Sequence, residues 1–218
     1  MNKKICTVLV ACAAYGFGNA QIIHDTVTTN PTYANNVWYS LENDDQGTFA
    51  ANAWDISLAT AMGAVDELTP AVWFNHKIGK VYEIPGSDPS DFENADTTGL
   101  STWTPLYNSD ESWSAGAFNS TTNLGQFDYG WGDYNMTTHG VDANRIFVIA
   151  YTNGDYKKMI LNSSNTTNVY TLTFDNLANT DLATEQIDVT PYVSKNFIGY
   201  NLTAKAIVDR DPAADSWD

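Results

Sequence analysis

The 218-residue sequence predicts an all-β fold: a single antiparallel β domain with long aromatic-rich loops. Three observations carry this. Short runs rich in Val, Tyr, Phe and Thr recur along the chain, and these residues suit a pleated, half-buried surface. Two apolar runs flank Asn153-Gly154, a favoured hairpin pair. The third is that almost no stretch keeps a helical period for the roughly ten residues a stable helix needs.

In order, strands are expected at 37–41, 71–75, 79–84, 168–175, 184–190 and 196–202, with the hairpin at 145–161. Its first arm alternates Phe147, Ile149 and Tyr151 with Ile146, Val148 and Ala150, so both faces are apolar and the strand belongs at the centre of a sheet. The second arm carries Lys157 and Lys158 and reads as half exposed. Both residues of Asn153-Gly154 tolerate positive φ, which predicts a type I′ turn. Ile56–Val65 is the one stretch with helical spacing. Residues 85–135 hold Pro85, Pro89 and Pro105 among Asp, Ser, Asn and Gly, with clustered aromatics such as Trp103, Trp113 and Trp131. Disordered linkers lack aromatics, so these are ordered loops around short strands.

The N-terminus has the layout of a secretory signal over residues 1–20. Lys3 and Lys4 precede the apolar run Ile5–Phe17, and Gly18-Asn19-Ala20 offers a small-residue cleavage site. That run is shorter than the ~17–25 residues of a membrane span. Leu9-Val10-Ala11-Cys12 supports the rival reading of a lipoprotein anchored at Cys12. Both cysteines, Cys6 and Cys12, fall in this leader, so a chain starting at Gln21 has no disulfide or thiolate site. Losing Lys3 and Lys4 leaves 8 basic against 26 acidic residues, a net charge of −18. Such a balance argues against nucleic acid and anionic membrane surfaces, which attract basic patches.

The chain contains an internal repeat. Residues 31–55 read PTYANNVWYSLENDDQGTFAANAWD and residues 191–218 read PYVSKNFIGYNLTAKAIVDRDPAADSWD. Each copy has Pro and Tyr near its start, then Tyr-x-Leu (Tyr39 and Leu41; Tyr200 and Leu202), an acidic turn, and Trp-Asp (Trp54-Asp55; Trp217-Asp218). In the first copy Trp-Asp leads into Ile56-Ser57-Leu58; the second stops at Asp218, which reads as a truncated repeat. Residues 21–190 are then expected as one β domain and 191–218 as the start of a second unit. Trp54 is expected to be a buried anchor beside Tyr39 and Leu41, with Ile56 and Leu58 on its face, and Trp217 to be looser.

These elements resemble the HmuY-like family, haem-binding and related secreted β-proteins of Bacteroidota. The resemblance implies an exported, non-enzymatic protein at the cell surface, outer membrane or beyond, with haem as a candidate cofactor. In some members two His or Met side chains hold the haem iron, a chemistry open to imidazole and thioether. The candidates here are His139, His76 and Met136; His24, Met62 and Met159 complete the set. The paired Trp-Asp elements also resemble type IX secretion cargo, which makes a structural subunit of a surface complex the alternative partner role. A third reading comes from the residues alone: the Trp and Tyr faces of 103–135, beside Asp and Asn, would suit a carbohydrate-binding module. The acidic turns Asn43–Gly47 and Asp209–Asp215 lack the twelve-residue calcium-loop pattern and read as solvated. Absence of GxSxG, HExxH and Walker motifs leaves catalysis without a candidate residue.

Overall fold

A computed structural model describes residues 24–61, 70–121 and 125–218. The leader and Met62 lie outside the described residues. The strands in chain order are β1 (Asn35–Ser40), β2 (Asp44–Ala50), β3 (Ile56–Ala59), β4 (Val72–Phe74), β5 (Gly79–Glu83), β6 (Gly132–Asn135), β7 (Gly140–Ala143), β8 (Phe147–Tyr151), β9 (Tyr156–Ser164), β10 (Val169–Asn176), β11 (Ala183–Asp188), β12 (Phe197–Asn201) and β13 (Ala206–Val208). All pairings are antiparallel, and the all-β expectation holds. Among the described residues no helix is long and apolar enough to cross a membrane.

Two sheets and a hairpin make up the body. β13-β12-β3-β4 form the smaller sheet, and among the described residues β1 pairs only with β2. The larger sheet is built on β9: β10 and then β11 lie on one side, while β8 with β5 and β7 with β6 share the other. Period-2 alternation sends Tyr170, Leu172 and Phe174 of β10 inward. They meet Ile56 and Leu58 of β3, Phe74 of β4, Phe147 and Ile149 of β8, and Met159 and Leu161 of β9 in one core. Burying each such side chain contributes about 1.5–3 kcal/mol. Trp131 and Phe118, from the aromatic-rich loops, are fully buried in the same core.

Strand β8 is apolar on both faces because both are covered. Ile146 and Val148, on the side away from the core, pack with Ile84 and Phe92. That cover on one face, and Phe174 with Asp181 on the other, correct the reading of the next strand. Lys157 and Lys158 are buried, not half exposed. Lys158 Nζ donates to the carbonyls of Phe92 (2.5 Å) and Glu93 (3.1 Å), which lie in a 3-10 segment, Pro89–Asn94, and to Asn179 Oδ1. Lys157 Nζ sits 5.6 Å from the Phe174 ring centroid and pairs with Asp181 at 2.8 Å. Apolar stems and satisfied ammonium groups let both lysines lie inside.

The hairpin turn also differs from expectation. Gly154 has φ 93°, whereas Asn153 is not in the positive-φ region. Gly154 N–H donates to Tyr151 O and Tyr151 N–H to Asp155 O, so the loop is a type I turn closed by a glycine bulge. Ile56–Ala59, which carried helical spacing in the sequence, is strand β3, fully buried on both faces; the rest of that stretch falls largely outside the described residues.

The internal repeat is a repeat of structure. A 3-10 turn (Pro31–Tyr33), β1, β2 and Trp54-Asp55 in the first copy match a 3-10 turn (Thr190–Tyr192), β12, β13 and Trp217-Asp218 in the second. The first turn of each hairpin is capped alike: Ser40 Oγ accepts from Glu42 and Asn43 N–H, and Asn201 Oδ1 from Thr203 and Ala204 N–H. Each Trp-Asp then clasps the other copy. Asp55 N–H donates to Tyr200 O (2.9 Å), and Asp55 Oδ2 accepts from Leu202 N–H (2.5 Å). Reciprocally, Asp218 N–H donates to Tyr39 O (3.0 Å), and Asp218 Oδ2 accepts from Leu41 N–H (2.6 Å). Residues 191–218 therefore belong to the same body as the first copy, with β12 laid against β3.

Candidate functional site

Where the two copies meet the loop at 108–117, the surface opens into a cleft of about 380 Å³ lined by five of the seven tryptophans. Trp73 projects from β4, opposite in sense to the core residues Val72 and Phe74. Its ring stacks on Trp113 (centroids 5.2 Å apart, planes at 21°), and its Nε1 donates to Trp113 O at 3.0 Å. Phe197 leans on both rings, and Trp217 meets Trp113 edge-on at 6.1 Å. Trp113 is 49% exposed and offers an open aromatic face.

Asn108 holds the Trp113 loop in place. Its Oδ1 accepts from Phe74 and Ala117 N–H, and its Nδ2 donates to Phe74 O, so one side-chain amide pins the loop to β4. Asn75 does the same for the Trp54 bend, donating to Ala51 O and Trp54 O.

On the opposite wall a guanidinium lies between two indoles. Arg210 is 3.9 Å from the Trp54 ring centroid and 5.6 Å from that of Trp38, a cation–π arrangement. Its Nη2 donates to Ser57 Oγ at 2.9 Å. Asp211 lies 3.0 Å from Arg210 Nε, close enough for an ion pair but out of line for a hydrogen bond. Burial pushes the Asp211 carboxyl up, against the pull of Arg210 and Lys195, and pushes the Arg210 guanidinium down. Each charge is thus deprived of water and incompletely compensated.

The lining is short of hydrogen-bond partners. Asn36 Oδ1, Trp54 Nε1, His76 Nδ1, Arg210 Nε, Asp211 Oδ1 and Trp217 Nε1 are buried without one. Among the described residues only Tyr151 Oη and Tyr200 Oη share that condition, and neither lines the cleft. An unsatisfied buried polar atom costs about 1–3 kcal/mol; Arg210 Nε and Asp211 Oδ1 face each other as an ion pair, which leaves Asn36 Oδ1, Trp54 Nε1, His76 Nδ1 and Trp217 Nε1 around one opening to be explained.

Of the three residues singled out as haem ligands, only His76 lines this cleft. Its Nε2 accepts from Asn108 N–H at 3.4 Å, and burial lowers its pKa, so the ring favours the neutral form. Met136 and His139 sit together in the turn between β6 and β7. Met136 is 68% exposed; His139 has φ 54° and shares a 2.8 Å hydrogen bond with Tyr134 Oη. Met159 is in the core and His24 is exposed. Among the described residues no three or more His, Cys, Asp or Glu side chains converge as a metal site.

Trp54 is buried as expected, but its neighbours differ. Leu41 is 85% exposed, and Tyr39 donates from its hydroxyl to Asp25. Trp38, one residue away on the other face of β1, is the residue that joins Trp54 around Arg210. Nor do Ile56 and Leu58 share its surroundings: they point into the core, while Ser57 faces Arg210. The Arg210-Asp211 pair, read from sequence as part of a solvated acidic turn, is buried for the same reason.

Comparison with protein-family models, with curated proteins and with solved structures finds no match for this chain.

Proposed function

We propose that this is an exported, non-enzymatic binding protein that holds a carbohydrate in the tryptophan cleft. One observation carries the reading: aromatic faces and unpaired buried polar atoms converge on the same opening. A sugar presents that combination, with C–H faces that pack on indole rings and hydroxyls that both donate and accept. Asn36 Oδ1 can accept from such hydroxyls; Trp54 Nε1 and Trp217 Nε1 can donate. The leader-like N-terminus and acidic body support export. Tryptophan fluorescence titration with a panel of neutral and acidic oligosaccharides tests it. A saturable change that falls at least tenfold in affinity in Trp113→Ala supports the reading; an unchanged spectrum across the panel goes against it. The factor corresponds to about 1.4 kcal/mol.

Haem remains the second reading, and His76 favours it, because it lines the aromatic cleft and its buried Nδ1 has no hydrogen-bond partner. Adding haemin should then give a sharpened Soret band that is lost in His76→Ala and kept in His139→Ala.

A further inference from the structure

The lysines of this fold meet different partners. Lys157, Lys195 and Lys205 pair with carboxylates, and Lys77 reaches a main-chain carbonyl. Lys158 differs. Besides two main-chain carbonyls it holds the side-chain carboxamide of Asn179, which follows β10 at the open end of the β9–β10 hairpin. An amine and a carboxamide can condense to an isopeptide bond with loss of ammonia. That reaction needs the two groups held in contact, an amine that can give up its proton, and a carboxylate to carry it.

The surroundings of Lys158 supply each of these. The side chain is 1% exposed, and burial lowers its pKa against the pull of Asp175 and Glu93. The Phe92 ring, 4.7 Å from Nζ, walls the amine on one side. Asn179 is held at both ends of its amide: Oδ1 accepts from Lys158 Nζ, and Nδ2 donates to Glu93 O at 3.0 Å. Its backbone is set as well, with φ 57° and its N–H on Asn176 O. Asp175 stands directly opposite Lys158 in the β9–β10 register, and so on the same face of the sheet. It is 3% exposed, and its Oδ1 is fixed by the N–H groups of Asn176 and Asp181.

We infer that Lys158 and Asn179 become covalently joined by an isopeptide bond between Nζ and Cγ, with Asp175 carrying the proton. The Lys158 ammonium first passes a proton to the Asp175 carboxylate. The freed lone pair forms the Nζ–Cγ bond, and the C=O π pair moves onto Oδ1. Asp175 then hands its proton to Nδ2 and takes the one that Nζ must shed. As the C=O reforms, the Cγ–Nδ2 bond breaks and the nitrogen leaves as ammonia, which takes the last proton from Asp175 and departs as ammonium. No oxidant or other reactant is consumed. The product exchanges a charge buried away from water for a neutral amide, which is the cheaper group to bury. The bond ties together positions 21 residues apart and closes the open end of the hairpin. Both cysteines of the sequence, Cys6 and Cys12, lie outside the described residues, so this staple stands where a disulfide is not to be had.

The test is the mass of the purified full chain, once its N-terminus has been read. Denatured, the chain should be lighter than its sequence by one ammonia. After chymotryptic cleavage at Tyr170 and Phe174, the peptides carrying Lys158 and Asn179 should remain joined. Lys158→Met and Asn179→Ala should each bring the mass back to that of the variant's sequence. Asp175→Asn keeps an oxygen for the N–H groups of Asn176 and Asp181, and should give a folded chain in which the two peptides separate. A wild-type chain at full mass overturns the inference, whether or not any variant folds. So does an ammonia lost with the two peptides separate, which would place a succinimide at an asparagine such as Asn153, before Gly154. A joined pair in Asp175→Asn overturns the role given to Asp175.

Discussion

Replacing Asp55 by Ala should destabilise the protein far more than the matching change at Asp218, although each carboxylate accepts one main-chain N–H at the matching place in the other copy. Asp55 is 4% exposed and its acceptor oxygen takes the N–H of Leu202, which is fully buried. Without that oxygen the N–H is left without partner or water, at about 1–3 kcal/mol. Against this, the substitution removes a charge whose burial already raises its pKa, despite Leu202 N–H and Lys157. The net loss should be about 2 kcal/mol. Asp218 and Leu41 are exposed, so water replaces the lost bond and the change should stay within about 0.5 kcal/mol. Urea denaturation reads the difference directly. With a slope of about 2 kcal/mol per M, Asp55→Ala should lower the midpoint by roughly 1 M and Asp218→Ala by about a quarter of that or less. Asp55→Asn, which keeps an acceptor oxygen, should fall between. Equal midpoint shifts from the two alanine variants would refute the reasoning, because they would show that burial does not decide the strength of the clasp.

Two other outcomes rest on packing and charge. Trp54→Ala should cost about 3–5 kcal/mol, as for other buried large-to-small changes, while Trp217→Ala, half-buried and held edge-on to Trp113, should cost about 1 kcal/mol; thermal melts compare them. Hydrogen bonds from Lys157 and Lys205 pull Asp181 down to about 2, so its contribution is present above pH 3.8 and lost as the pH falls through 2; Asp181→Asn should flatten the stability curve across that window, measured by denaturant midpoints at stepped pH.

Strands were legible where the side-chain pattern is strong. The runs at 145–161 and 168–175 alternate or stay apolar over enough residues to declare themselves, and both became strands of the larger sheet. β2 was hidden because its residues, DDQGTFA, are polar or small apart from Phe49; among the described residues its partner is β1 alone, and most of it faces water. Lys157 and Lys158 misled because charge usually marks an exposed face, whereas here a loop some 65 residues earlier supplies the carbonyls that receive Lys158. Of the site, the repeat disclosed Trp54 and Trp217, and the aromatic stretch contained Trp113. His76 was picked out by residue type. What could not be read was convergence: Trp38, Trp73, Phe197 and Arg210 come from four separate segments, and no spacing links them. The Arg210-Asp211 dipeptide resembled solvent-facing charge until the two indoles around the guanidinium were in view.

The clasp also sets an order on assembly. Its bonds join residues 147 and 177 positions apart, so the first copy has nothing to close on until the second has been made. Closing such distant pairs is slow, because chain entropy is lost before the contact can compensate it. During synthesis the chain up to about residue 190 carries β3 with one edge bare, and the buried side chains of Ile56 and Leu58 lack β12 beside them. That intermediate exposes an apolar strand edge, the kind of surface that aggregates or is taken up by chaperones. Residues 191–218 thus act as the latch of the whole body, and the native state belongs to a chain that carries both copies and not to any growing part of it.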